Sequence, residues 1–202
     1  MITIVDYGMG NLGSLINMFK KIGVIATIES KANIIKKAQK ILLPGVGSFD
    51  AAMKCINTSP DLLEVLNYKA KVDCIPILGV CLGMQLLTRS SEEGTLSGLD
   101  WIPASTMRIP KIDGLKVPHM GWNIAKPSQS SLFTNNIDNT SRYYFVHSFC
   151  VHVDNPKYSL MKTNYGIDFD SAIRKENIYG VQFHPEKSHK FGMQILKNFS
   201  KL

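Results

Sequence analysis

Three apolar runs constrain this chain most: ITIVD (2–6), KILLP (40–44) and CIPILGV (74–80). Each leads through a turn rich in glycine into a segment with helical spacing, and VIATIES (24–30) adds a further strand-like run. After the first run, YGMGNLGS delivers the chain into a helix with Leu12, Leu15, Ile16 and Phe19 on its inner side. Ala32 to Gln39 reads as a short basic helix, and GVGSFD (45–50) as a turn into another. This succession predicts an α/β fold: a central, mainly parallel or mixed sheet flanked by helices, with ligands at the C-terminal strand ends.

The second half reads differently. TMRIP, KVPH, YYFVHSFCVHV, YSLMKT and SAIRKENIYGVQFHP are short β-like pieces punctuated by Pro and Gly, so antiparallel additions to the sheet are expected. Stretches 88–100 and 126–140 read as surface loops, and SHKFGMQILKNFSKL as a closing helix with Phe191, Ile195, Leu196 and Phe199 inward. No repeat or linker interrupts the chain, and a single domain over 1–202 is expected.

Composition removes several function classes. Hydrophobic residues make up 45% and charged residues 19%, the balance of a folded soluble chain. No apolar run is long enough to span a membrane, and MITIVDYG reads as a first strand rather than a signal peptide. The net charge of +7 is spread widely and lacks a nucleic-acid-binding signature, so no nucleic acid is expected; a solvated basic surface suits it better, with one face open to an acidic partner. Cys55, Cys74, Cys81 and Cys150 form no metal-site or disulfide pattern. A reducing, cytoplasmic setting is expected, with Cys55 and Cys74 as small packing residues. No metal or cofactor is called for.

ILGVCLGMQLL (77–87) holds the chemistry. Cys81 stands where a strand becomes a helix, with Gly79 and Gly83 permitting a sharp turn. Backbone N–H groups at a helix start favour a thiolate, the sulfur version of a nucleophile elbow. A merely buried cysteine is the plainer possibility. In YGVQFHPE (179–186), His184 ends an apolar strand at Pro185, and Glu186 lies close enough to orient the ring. Cys81, His184 and Glu186 thus form a candidate triad. The glycines of PGVG (44–47) and the N–H of Leu82 are candidate oxyanion donors. His147 either lines a pocket or faces solvent, while His152 and His189 read as surface residues. VPHMGWN (117–123) exposes Met120 and Trp122 and fits a docking site or local packing of the Trp.

DYGMGNLGS (6–14), LPGVGSF (43–49), LGVCLGMQLL (78–87), VPHMGWN (117–123), YFVHS (144–148) and YGVQFHPEKS (179–188) occur in order along nearly the whole chain. Together they resemble the class I, triad-type glutamine amidotransferases, which have a flavodoxin-like fold. More narrowly they resemble the glutaminase subunits of imidazole glycerol phosphate synthase. The resemblance implies that Cys81 attacks the glutamine amide, that His184 carries protons and that Glu186 orients it. It implies Val46, Gly47 and Leu82 around the oxyanion, and Gly45, Gln85, His147, Ser148 and Phe149 around glutamine. It further implies a (β/α)8-barrel cyclase subunit as partner in a heterodimer, met through Asn11, Met120, Trp122 and Lys187, with ammonia channelled between them.

Two departures stand out: Asp100 in GLDWIP replaces a glycine expected there, and Gly13 replaces a larger residue. They leave open a paralogue that supplies ammonia for amidino-sugar synthesis. A triad peptidase of related architecture would keep the Cys–His pair without needing the VPHMGWN surface. A non-catalytic assembly or regulatory protein would keep the same outline around a vestigial pocket.

Overall fold

The computed structural model describes residues 1–202. Its first half alternates β1 (Ile2–Val5), α1 (Leu12–Lys21), β2 (Ala26–Glu29), α2 (Ala32–Ile35), β3 (Ile41–Leu43), α3 (Phe49–Thr58), α4 (Leu62–Lys71), β4 (Ile77–Val80) and α5 (Leu82–Leu86). The second half is mostly strand: β5 (Ala104–Arg108), β6 (His119–Ile124), β7 (Lys126–Pro127), β8 (Arg142–His147), β9 (Phe149–Val153), β10 (Ser159–Tyr165), β11 (Ile167–Lys175) and β12 (Ile178–Val181), closed by α6 (His189–Ser200).

The large sheet runs β2-β1-β3-β4-β12-β11-β10-β7. From β2 to β12 every pairing is parallel, and beyond β12 the sheet turns antiparallel, with β9 and β5 joining off β11. The parallel strands are apolar on both faces because both are covered. Val5, Ile41, Leu43 and Ile77 pack toward α2, α3, α4 and α5. Ile2, Ile4, Leu42 and Leu78 pack toward α1 and α6, whose Leu15, Phe19, Ile195, Leu196 and Phe199 are buried. A separate antiparallel ribbon of β6 and β8 lies on this second face, where Tyr143 and Phe145 join the same core.

Several expectations need correction. The basic helix spans only Ala32–Ile35, one turn that buries Ile35 before the chain enters β3. YYFVHSFCVHV is two strands broken at Ser148: β8 belongs to the ribbon and β9 to the large sheet. VPHMGWN is mostly strand β6. The 126–140 stretch is no plain surface loop. Phe133 is fully buried against Tyr179, and Asn198 holds the carbonyls of Phe133 and Asn135 at 2.9 and 2.7 Å. Cys74 is exposed at φ +50° rather than packed. Asp100 adopts φ +50°, a conformation glycine takes freely and Asp tolerates better than most residues, so that departure preserves the backbone.

One close approach fixes the centre of the molecule. A Cβ on Gly83 would lie 1.9 Å from the Leu43 carbonyl oxygen, and one on Gly45 would lie 2.8 Å from the Gly83 nitrogen. A Cβ on Gly79 would meet the Gly83 carbonyl oxygen at 2.5 Å. Helix α5 therefore packs backbone to backbone against the ends of β3 and β4. Gly13, in α1, has nothing within 4 Å of its own Cβ position, so the second departure costs no packing.

These environments predict opposite outcomes for one chemical change. Gly83→Ala should destabilise by about 1–3 kcal/mol or more, because rigid backbone must move. Gly13→Ala should stabilise by roughly 0.5–1 kcal/mol through helix propensity. Urea unfolding midpoints decide it, and a neutral Gly83→Ala variant would refute this backbone-to-backbone packing.

Candidate active site

Cys81 sits between β4 and α5 at φ +56°, ψ −112°, a conformation that side-chain-bearing residues avoid. Its N–H donates to the Val181 carbonyl at 2.8 Å, which ties the turn to β12. The strand ladder and the glycine contacts hold the backbone there, and the thiol is turned into a cavity of about 380 Å³. Val46, Gly47, Leu82, Gln85, Glu93, Val146, His147, Ser148, Phe149, His184 and Lys187 share that cavity. This volume suits one small polar molecule.

His184 follows β12, the strand beside β4, so parallel pairing brings it to the same end as Cys81. Its N–H donates to the Tyr144 carbonyl at 2.9 Å, and its carbonyl accepts from the Ser188 hydroxyl at 2.6 Å. Pro185 begins a 3₁₀ turn over Pro185–Lys187, and that turn folds Glu186 back onto the ring. Glu186 Oε1 lies 2.8 Å from His184 Nδ1, with both side chains 3% exposed. His184 Nε2 is buried without a hydrogen-bond partner. Burial opposes a charged ring, but the Cys81 sulfur and the Glu186 carboxylate outweigh it and raise the imidazole to about 10. The site thus favours an imidazolium beside the cysteine, with Nδ1 held by the carboxylate.

Val46 and Gly47 are exposed on the cavity wall, and their N–H groups donate no hydrogen bond within the chain. They remain available to an oxyanion, as is the N–H of Leu82, which opens α5 and has no intrahelical partner. Gly45 lies behind this wall, buried against Leu82 and Gly83. The loop after β1 braces the turn from outside: the Tyr7 hydroxyl donates to the Pro44 carbonyl, and Met9 touches the Cβ position of Gly47 at 3.1 Å.

Gln85 is buried, and its amide orientation is determined. Nε2 donates to the Phe149 carbonyl at 3.1 Å and to Gln182 Oε1 at 3.2 Å. Its Oε1 is the end left for a ligand. Of the positions expected at the partner surface, Met120 is 62% and Trp122 46% exposed. Lys187, on the cavity rim, lies over the Tyr144 ring at 5.7 Å, and Trp122 meets the edge of that ring, so Lys187, Tyr144 and Trp122 make one surface. Asn11 is exposed at the start of α1, where its side chain accepts from the Ser14 N–H. His189 is exposed as expected but stacks on Trp122 at 5.5 Å.

Sequence reasoning passed over three residues here. Gln182 is fully buried, and its side-chain Nε2 donates to Cys81 Sγ at 3.8 Å while its Oε1 accepts from Gln85. The strand pattern of YGVQF could have flagged it, since an amide on an otherwise apolar buried strand needs partners. Glu93 lies in the stretch read as a surface loop, yet it lines the cavity and its Oε2 accepts from the Phe49 N–H at 2.9 Å. Asp50 in turn accepts from the Thr95 and Leu96 N–H groups at 3.0 Å, so loop and helix start clasp each other. The third is His119, which pairs with His147.

The raised imidazole carries a stability signature. A proton bound more tightly in the folded state contributes fully below about pH 6.5 and is lost as pH rises toward about 10. Glu186→Gln removes one of the two groups responsible. Its stability should therefore decline less steeply than wild type across that interval in urea titrations, and equal slopes would contradict the assignment.

Comparison with known proteins agrees with this geometry. The family model for class-I glutamine amidotransferases matches residues 3–202. Imidazole glycerol phosphate synthase subunit HisH 2 of Methanococcus maripaludis is 51% identical, over 100% of this chain and 99% of that protein. Subunit HisH of Bdellovibrio bacteriovorus is 46% identical over the full length of both chains. Among solved structures, a glutamine amidotransferase superposes with a TM-score of 0.77 at 13% identity, covering 100% of this chain and 98% of that one, a likeness of fold. The chain belongs to the class-I glutamine amidotransferases and, within them, to the HisH subunits of imidazole glycerol phosphate synthase.

Proposed function

We propose that this chain hydrolyses glutamine and passes the ammonia to a (β/α)8-barrel cyclase subunit, which makes imidazole glycerol phosphate and the aminoimidazole carboxamide ribotide for histidine biosynthesis. The observation that carries this reading is the convergence of Cys81, His184 and Gln85 on one cavity, with Glu186 held on the Nδ1 side of His184, in a chain of the HisH family.

Substrate enters between Gln85, Glu93 and the 147–149 backbone, with its carboxamide carbon toward Cys81. The sulfur adds to that carbon, and the carbonyl electrons move onto oxygen, facing the N–H groups of Leu82 and the Val46–Gly47 turn. His184 gives a proton to the departing nitrogen, so ammonia leaves and a γ-glutamyl thioester remains. The now neutral ring accepts a proton from water as the water oxygen attacks the thioester. Collapse expels the sulfur, releases glutamate and returns the starting site. Glu186 keeps the ring's Nε2 turned to the reacting atoms throughout.

The barrel subunit docks on the surface of Asn11, Met120, Trp122 and Lys187. Met120 and Trp122 are exposed apolar groups beside the cavity, suited to sealing the junction against loss of ammonia. Their neighbour Lys187 and the net charge of +7 favour an acidic partner face. The free thiols of all four cysteines fit a reducing cytoplasm.

The test is glutamate release from glutamine with and without the barrel subunit. Activity should require or rise strongly with the partner, and Cys81→Ala should lower it by about 10³-fold or more. Peptide cleavage without glutamine turnover would overturn the reading.

A further inference from the structure

The strand that shows Met120 and Trp122 outward turns two other side chains inward. His119 is 2% exposed and lies between the Phe145 and Tyr165 rings, at centroid distances of 4.7 and 3.9 Å. In the ribbon it stands directly opposite His147. Its Nδ1 is 3.0 Å from His147 Nε2, and its Nε2 is 3.3 Å from Asn123 Nδ2. His147 Nδ1 is 2.8 Å from the Phe149 carbonyl oxygen.

The protons in this chain have a single arrangement. A carbonyl only accepts, so His147 carries its proton on Nδ1. Burial pushes His147 down to about 3 and His119 down to about 4, so each ring is neutral and has one N–H. His147 Nε2 therefore accepts from His119 Nδ1–H, and His119 Nε2 accepts from Asn123. The asparagine amide is fixed independently. Its Nδ2 donates to the Asn164 carbonyl at 2.9 Å, and its Oδ1 accepts from the Ile124 N–H at 2.8 Å.

We propose that His119 and Asn123 form a positioning relay that fixes the tautomer of His147 and thereby the orientation of the Phe149 peptide at the glutamine pocket. The Phe149 carbonyl receives two donors, His147 Nδ1–H and Gln85 Nε2–H. Reversing the His147 tautomer sets a bare nitrogen against that carbonyl and an N–H against the N–H of His119. Both faces of β6 then serve one site: the outer face meets the partner, and the inner face holds the substrate wall.

The functional arm of the test rests on the glutaminase reading; the structural arm does not. Two-bond ¹H–¹⁵N correlation spectra of the full chain should show His147 protonated on Nδ1 and bare on Nε2. An Nε2–H form or a rapidly averaging ring overturns the relay. In the complex with the barrel subunit, His119→Phe keeps the stack on Phe145 and Tyr165 but removes both hydrogen bonds. It should raise KM for glutamine about tenfold, the loss of roughly one buried hydrogen bond, with a smaller change in kcat. Labelling of Cys81 by iodoacetamide without glutamine should be unchanged. His119→Asn, with an N–H near the former Nδ1 position, should recover part of the loss. An unchanged KM in His119→Phe, or equal defects in the two variants, refutes the proposal. Should the wild-type complex fail to turn over glutamine, the reading of the pocket falls while the tautomer measurement still decides the relay.

Discussion

The contact between Gly83 and the Leu43 carbonyl is the constraint on which the site depends. It lets α5 start directly on the ends of β3 and β4, with no side chain between. That start leaves Cys81 only the strained turn at φ +56°. The strain persists because β12 grips the cysteine N–H from one side while Gly79, Gly45 and Gly83 nest around it on the other. The same close packing places the PGVG turn beside the thiol. The strained turn at Cys81 and the unpaired N–H groups beside it thus share one origin, the absence of three β-carbons.

Electrostatics divides the buried histidines by neighbour rather than by depth. His184, His147 and His119 are all nearly inaccessible. Only His184 has a carboxylate on Nδ1, and it is the ring held toward the charged form. His147 faces a carbonyl and a neutral ring, and His119 faces an amide and aromatic rings, so desolvation prevails and both stay neutral. One cavity therefore has a ring held toward the charged form and a ring held neutral side by side, set by what each ring nitrogen touches.

The cavity is also braced at a distance. Glu93 and Asp50 lock loop 91–96 to the start of α3, directly after the PGVG turn. Tyr7 and Met9 press on that turn from the loop that carries Asn11. The turn itself forms no hydrogen bond through Val46 or Gly47. These residues span two fixed ends on the cavity wall without a hydrogen bond of their own to hold them.

Local signals made much of this legible. Runs apolar on both faces marked the parallel strands, and the glycines around Cys81 and the HPE turn after β12 marked the candidate triad, because each feature is a few residues long. Helix α4 was missed where its signals are weak: it buries Lys69, which pairs with Asp73 at 2.6 Å, and Asp61 begins it with no side-chain cap. The surface reading of 126–140 failed because polar residues surround the one aromatic that anchors it, Phe133. Gln182, Glu93 and His119 stayed hidden for another reason. Their partners Cys81, Phe49 and His147 lie 101, 44 and 28 residues away, and a buried polar side chain takes its meaning from the group it faces. The sequence by itself determined the parallel strands, the sharp turn at Cys81 and the closeness of His184 to Glu186, since backbone sterics and side-chain chemistry act locally. Tertiary structure alone decided which amides and rings are held in one orientation, since a hydrogen bond requires both ends in place.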